Sequence, residues 1–106
     1  MNFKEWLKDN YPLNFEVAFN KVIGMFVASH LRLYANEDAS FTAGDGYAGA
    51  GYLSGRGATE REAIKDFIQI VNLNYKGKEK VFFCNWYWPN SSHTSRPFPK
   101  EGLEVD

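Results

Sequence analysis

The chain is poor in the residues that form cross-links and metal clusters. Its 106 residues include one cysteine, Cys84, and two histidines, His30 and His93. No disulfide can form within the chain, and a single cysteine is typical of proteins in a reducing cytosol. The sequence has no apolar run long enough to span a membrane, and its charged first ten residues do not read as a signal peptide. We therefore predict a cytoplasmic protein with no membrane partner.

A surplus of either charge is also missing. Twelve basic and thirteen acidic side chains leave a net charge of −1. Proteins that hold nucleic acid by displacing counterions usually have a basic surplus, and a mimic of DNA would be strongly acidic. Charge therefore does not favour nucleic acid as the partner.

Catalytic motifs are equally scarce. Gly44–Gly49 matches the G-x-G-x-x-G spacing, but a dinucleotide site needs a helix to open within that motif. Here Tyr47–Ser54 reads as a strand and the next helix begins only near Thr59, so the motif predicts a turn. A phosphate-binding loop and a nucleophilic serine elbow are both absent from the sequence.

The three residues that most often carry chemistry are far apart in sequence. We interpret His30 as a strand residue, Cys84 as a small core residue and His93 as a loop residue. Whether they meet as a metal site, or Cys84 and His93 as a nucleophile pair, is left open by their spacing. We predict a protein that is not an enzyme, with no catalytic, cofactor-binding or metal-binding residues.

The clearest local pattern runs from Gly55 to Val71. Thr59 and Glu62 have the spacing of a capping box. Apolar residues then recur at helical spacing and form a stripe wide enough to lie on a sheet. The pattern predicts a helix over Thr59–Leu73 that a glycine turn precedes.

Other segments are less distinct. A short helix is expected over Asn2–Asn10, and Leu13–Phe26 fits both helix and strand, with helix favoured up to about Asn20. In the strand Val22–Tyr34, alternation would place Ala28 and Leu33 on opposite faces. Two further strands and an irregular tail complete the chain: Tyr47–Ser54, Val81–Trp88 and 89–106.

These elements predict a single α+β domain over residues 1–106. An antiparallel sheet of three or four strands would pack on the long helix, with the short N-terminal helix at an edge or end. Both faces of Val81–Trp88 are apolar, which allows a second copy of the chain as a partner.

The helix start also resembles a known nucleic-acid-binding element. Gly55–Thr59, followed by Ala63 and Lys65, resembles the last strand-to-helix step of double-stranded RNA-binding domains. In that family the basic helix start sits on phosphates. Glu60 and Glu62 stand at this position here, and acids at a helix N-terminus repel phosphate. The resemblance therefore implies a shared local geometry.

A second resemblance covers Gly55–Phe67. A glycine turn followed by an "ATxxEAI" pattern is similar to a segment found in many small phage and prophage accessory proteins. Some proteins of that class inhibit host defence, including anti-CRISPR proteins. The resemblance implies a phage-encoded protein that acts in the cytoplasm of a bacterial host.

Aromatic residues are abundant, with nine Phe, six Tyr and three Trp. Trp and Tyr are favoured anchors of protein interfaces. Together with the resemblance, this predicts a non-catalytic protein that binds a host protein, such as a CRISPR or other defence nuclease, and occludes its surface. The alternatives are a small nucleic-acid-binding module and a small metal- or ligand-binding enzyme. The predicted partner-binding residues are Tyr47, Tyr52, Tyr87, Trp88, Lys76, Lys78 and Lys80.

Overall fold

A computed structural model of the chain describes residues 1–34, 52–85 and 92–105. It contains an antiparallel five-stranded sheet, a long helix and a short N-terminal helix, so the predicted α+β class is confirmed. The predicted turn at Gly44–Gly49 lies outside the described residues. The elements are α1 (Phe3–Lys8), a 3₁₀ helix (Pro12–Asn14), β1 (Phe15–Asn20), β2 (Met25–Tyr34), β3 (Tyr52–Gly57), α2 (Glu60–Tyr75), β4 (Lys80–Asn85) and β5 (Ser92–Pro97).

The predicted N-terminal helix is present as α1. Asn2 caps it, because its side-chain oxygen accepts hydrogen bonds from the backbone N–H groups of Lys4 and Glu5 at 2.9 and 3.3 Å. Phe3 and Trp6, three residues apart, are both buried. α1 therefore presents an aromatic face to the core.

The expected helix before Asn20 is wrong, because residues 15–20 form strand β1. All six residues of β1 pair with β2 in an antiparallel hairpin. Phe15, Val17 and Phe19 fit both helical and alternating patterns, and the pairing with β2 decides between them. Cross-strand packing stabilises the strand form, whereas an isolated short helix is marginal in water.

Strand β2 is the centre of the sheet. β3 pairs with its residues 26–29 and again at Tyr34, and so occupies one edge. β1 pairs along the other edge as far as His30, and β4 follows on that edge at Leu33. β5 pairs with β4.

A register shift in β2 changes which side chains face the core. Pairing with β3 is irregular between Ser29 and Tyr34, and both Ala28 and Leu33 are buried in the same core. Simple alternation predicted them on opposite faces. A bulge inserts an extra residue and reverses the alternation beyond it, so that prediction is wrong.

β3 and α2 touch backbone to backbone. A Cβ added to Gly55 would lie 2.6 Å from the Phe67 Cα and closer still to the Phe67 nitrogen. One added to Gly57 would meet the backbone of Glu62 and Ala63. Only glycine permits this approach.

The predicted N-cap of α2 at Thr59 is confirmed, and Glu62 reaches back as expected, although to the N–H of Ala58 and not to that of Thr59. The Thr59 hydroxyl accepts a hydrogen bond from the Glu62 N–H at 3.1 Å, and the Glu62 carboxylate accepts one from the Ala58 N–H at 3.1 Å. The helix begins at Glu60 and ends at Tyr75. Its buried residues follow helical spacing and face the sheet: Ala63, Phe67, Ile68, Val71 and Tyr75.

Helix α1, which we expected at an edge or end of the fold, inserts two aromatic side chains into the core while its lysines stay exposed. The Phe3 ring contacts the rings of Phe15 and Phe67 at centroid distances of 5.3 and 6.0 Å. The Trp6 ring is 6.0 Å from that of Phe83. α1 therefore covers the place where β2 stops pairing with β1 and begins to pair with β4.

The expected irregular tail is also wrong in part. Residues 92–97 form β5, and Phe98 and Leu103 are buried. The Asn72 amide holds the end of the chain by donating to the Leu103 carbonyl and accepting from its N–H, at 2.9 and 2.8 Å. The prolines and serines of this segment give no periodic pattern that would predict a strand. The segment is stabilised instead by partners that are distant in sequence.

We predict that Gly55→Ala destabilises the protein by about 3 kcal/mol or more, because the added methyl meets backbone that cannot move locally. Gly24→Ala is the matched control. Gly24 has φ +68° and nothing within 4 Å of an added Cβ, so only the backbone penalty of about 1 kcal/mol applies. Urea unfolding measures both variants, and equal losses would contradict the close contact.

Candidate functional site

The structure describes four of the seven predicted partner-binding residues. Tyr52 is exposed at the start of β3, and Lys76, Lys78 and Lys80 are exposed between the end of α2 and the start of β4. Tyr47, Tyr87 and Trp88 lie outside the described residues. Their role in binding stays a prediction.

Tyr52 and the lysines lie on different surfaces. Tyr52 alternates with Leu53 and Gly55, which face the core and α2, so its ring emerges on the opposite face of the sheet. There it lines an open cavity of about 490 Å³ with Glu16 and Ser54. Lys78 instead lies 5.8 Å from the centroid of the Tyr75 ring.

An exposed apolar cluster at the β1–β2 hairpin was missed by sequence reasoning. Phe19, Val22 and Ile23 are 54%, 93% and 37% exposed, and we name them the tip cluster. The Phe19 ring packs on that of Phe26 at a centroid distance of 5.3 Å. The sequence does carry a signal for this cluster. Between the two strands it reads Asn-Lys-Val-Ile-Gly, so two apolar residues occupy a turn.

The hairpin turn is held by its own hydrogen bonds. The Asn20 side-chain oxygen accepts from the N–H groups of Val22 and Ile23 at 2.9 and 3.3 Å. The Gly24 N–H donates to the Asn20 carbonyl at 2.8 Å, and Gly24 has the positive φ that closes the turn. The tip cluster is therefore presented on an ordered turn.

The tip cluster lies at the end of the sheet where α2 begins. Phe26, beside Phe19, pairs with Gly57, and α2 starts three residues later at Glu60. Glu60 and Glu62 are exposed there. Acids at this position place negative charge beside the positive end of the helix dipole.

An apolar groove continues from this surface. Along β1, Phe15 and Val17 share the face of Phe19 and are partly buried. Phe15 also lines a groove of about 470 Å³ between α1 and α2, together with Leu7 and Ile64. An apolar strip therefore joins the groove to the tip cluster.

His30 is a buried residue whose ring is held by two hydrogen bonds to the backbone. It is fully buried, its Nε2 donates to the Asn10 carbonyl at 2.8 Å, and its Nδ1 accepts from the Arg32 N–H at 3.2 Å. These partners require the neutral ring. Burial lowers the pKa of His30 below its ordinary 6.5, and the nearby Arg32 charge lowers it further.

Cys84 and His93 are brought together by the sheet. They are directly opposed residues of β4 and β5, and Cys84 is buried. His30 packs on Phe83, the neighbour of Cys84 in β4, and alternation along the strand places the Phe83 and Cys84 side chains on opposite faces. Among residues 1–34, 52–85 and 92–105, no group of three His, Cys, Asp or Glu side chains is placed to hold a metal ion.

Comparison of the chain with protein-family models, with curated proteins and with solved structures finds no significant match. Within the part of the chain that the structure describes, neither helix has the length and apolar character needed to cross a membrane.

We predict that acid destabilises the protein through His30. The unfolded state takes up a proton near pH 6.5, whereas the folded state does so only at lower pH. Stability is therefore lost as pH falls below 6.5, by up to about 1.4 kcal/mol per pH unit. Urea unfolding between pH 7.5 and 5.5 measures this slope.

His30→Gln should flatten this pH dependence even where it lowers stability at every pH. His93→Gln is the matched control, since it leaves the buried ring in place. An equal slope in the wild type and His30→Gln would contradict the assignment.

Proposed function

We propose that the chain is a non-catalytic protein-interaction module whose main docking surface is the tip cluster. The observation that carries this is three large exposed apolar side chains at one end of the hairpin: Phe19 near the end of β1, and Val22 and Ile23 on the ordered turn. Single exposed apolar residues are common on protein surfaces, whereas a contiguous group on a rigid element is typical of binding sites.

The energetics favour a macromolecular partner. Fully burying one such side chain contributes about 1.5–3 kcal/mol. The hydrogen bonds of Asn20 hold the turn before binding, so little further order has to be imposed on association. The strip along Phe15 and Val17 extends the contact area toward the groove between α1 and α2.

The charges at the start of α2 favour protein over nucleic acid. Glu60 and Glu62 flank this end of the fold, where they offset the charges of the exposed Lys21 and Arg61 and leave no basic surplus to hold phosphate. The three lysines that would contact phosphate lie after the other end of α2, while Tyr52 emerges from the opposite face of the sheet. Tyr52 and the lysine cluster therefore do not combine a stacking ring and basic side chains on one surface.

The partner that we propose is a host defence protein, with a CRISPR nuclease as the first candidate. The support is the similarity of Gly55–Phe67 to small phage accessory proteins, together with the small size of the chain. In this proposal the protein is phage-encoded, acts in the bacterial cytoplasm and inhibits by covering a surface of the nuclease. The cavity of about 490 Å³ beside Tyr52 reaches the tip cluster at Phe19, and the proposal does not depend on it.

We predict that a triple variant, Phe19→Ser, Val22→Ser and Ile23→Ser, loses binding by about 100-fold or more, because each substitution removes apolar area at the centre of the contact. Its folding stability should fall by about 1 kcal/mol, mainly from the lost ring contact with Phe26. Affinity capture from a defence-proficient bacterial lysate, followed by titration of the captured protein, measures the change.

The matched control is a double variant, Leu13→Ser and Leu73→Ser. These side chains are 97% and 85% exposed but lie outside the tip cluster, so binding should be unchanged. Equal affinity of the triple variant and the wild type would overturn the docking surface. Salt-dependent binding of RNA or DNA in a gel shift, lost on replacing Lys76, Lys78 and Lys80, would support the nucleic-acid alternative instead.

A further inference from the structure

The outer edge of strand β1 is unpaired in the part of the chain that the structure describes. All six residues of β1 pair with β2 on one side. On the other side, no strand or backbone group among the described residues pairs with residues 16–19. In an antiparallel ladder, alternate residues direct their N–H and C=O groups away from the partner strand. This edge therefore offers donors and acceptors to a further strand.

Strand β1 also lacks most of the features that protect an edge. Natural edge strands commonly carry proline, charged side chains (especially lysine) or a bulge, which discourage pairing with another chain. β5, at the far edge of the sheet, contains Arg96 and Pro97. β1 has a single charge, that of Glu16, contains neither lysine nor proline, and keeps a regular register with β2 over its whole length. The edge is therefore suited to accept a strand.

The side chains of β1 divide between the two faces of the sheet. Phe15, Val17 and Phe19 share the face that Phe15 presents to α2. Glu16 and Ala18 lie on the opposite face and are exposed. A strand that pairs with this edge must therefore offer apolar side chains on the α2 side, and it must not place a carboxylate against Glu16 on the other side.

We infer that the pairing strand is β1 of a second copy of this chain, which joins antiparallel and extends the sheet across a twofold axis. In the register that we propose, Val17 lies opposite Val17 of the second copy. Phe15 then lies opposite Phe19, and Glu16 lies opposite Ala18. Residues directly opposite each other share a face and contact each other. Apolar side chains therefore meet on the α2 side, and no like charges are directly opposed.

Other registers are less favourable. A shift of one residue would set Phe15 opposite Asn20 and Phe19 opposite Glu16, which joins the apolar face of one copy to the polar face of the other. A shift of two would set either Glu16 opposite Glu16, or Phe15 opposite Lys21, which lies in the turn beyond the strand. In the proposed register the two Glu16 carboxylates are diagonal neighbours, roughly 7–8 Å apart. Both are exposed to solvent, which screens their repulsion.

The dimer leaves most of the tip cluster exposed. Phe19 takes part in the pairing, whereas Val22 and Ile23 lie on the turn beyond the last paired residue of β1. Antiparallel pairing directs the two turns to opposite ends of the joined sheet. Dimer formation does not require a host protein, so the inference does not rest on the proposed function.

Sedimentation equilibrium of the full chain over a range of concentrations tests the inference. We expect the wild type to show a reversible equilibrium between one chain and two. Ala18→Glu places a carboxylate opposite Glu16 of the other copy, twice in each dimer, and should weaken dimerisation by about 10-fold or more. Ala18→Lys places an ammonium group there instead and should strengthen dimerisation.

Two further variants make the test specific to this register and this edge. The double variant Glu16→Lys and Ala18→Glu restores opposite charges across the pair, so it should dimerise at least as tightly as the wild type. Ser95→Glu adds the same charge at an exposed position of β5 and should leave the equilibrium unchanged. Circular dichroism checks that every variant is folded.

A wild type that stays monomeric at its highest soluble concentration would overturn the inference. So would equal dissociation constants for Ala18→Glu and Ala18→Lys, a double variant as weak as Ala18→Glu, or an equal loss of dimer in Ser95→Glu. Ala18→Glu does not alter the tip cluster. Its capture of a host protein is therefore a separate measurement, which reports on the proposed function alone.

Discussion

The sheet and its long helix meet backbone to backbone at Gly55 and Gly57, and the position of the other elements depends on that contact. No side chain separates β3 from the α2 residues Phe67 and Ala63, so the helix cannot slide or rotate without collision. The buried stripe of α2 is thereby held over β3 and β2. α1 then fills the space that remains, with Phe3 against Phe67 and Trp6 against Phe83.

The candidate docking surface lies at the margin of this rigid centre. The tip cluster stands on a turn beyond the last core contact of the β1–β2 hairpin, where side chains can be exposed without loss of packing. An ordered scaffold there presents apolar side chains that the chain itself does not bury.

The elements that were predicted correctly are those whose signals are local. The Asn2 cap of α1 and the Thr59–Glu62 box of α2 depend on hydrogen bonds within a few residues, so the sequence alone reveals them. β1 was assigned to a helix because its apolar spacing fits both periods, and its pairing with β2 was not visible. β5 and the segment after it were read as irregular because their partners, Val81 and Asn72 among them, are distant in sequence.

The features of the candidate sites also divide into those with a local sequence signal and those that depend on tertiary contacts. By itself the sequence determined the α+β class, the glycine turn with its capped helix, and a surplus of aromatic residues, because composition and local spacing carry these features. Tertiary structure alone decided that Val22 and Ile23 stand exposed, that Tyr52 and the lysines lie on different surfaces, and that Trp6, Asn10 and Arg96 surround one cavity. Whether a side chain is exposed, and which side chains line one cavity, depends on residues up to ninety positions apart in the chain. A local sequence pattern contains no information about such distant neighbours.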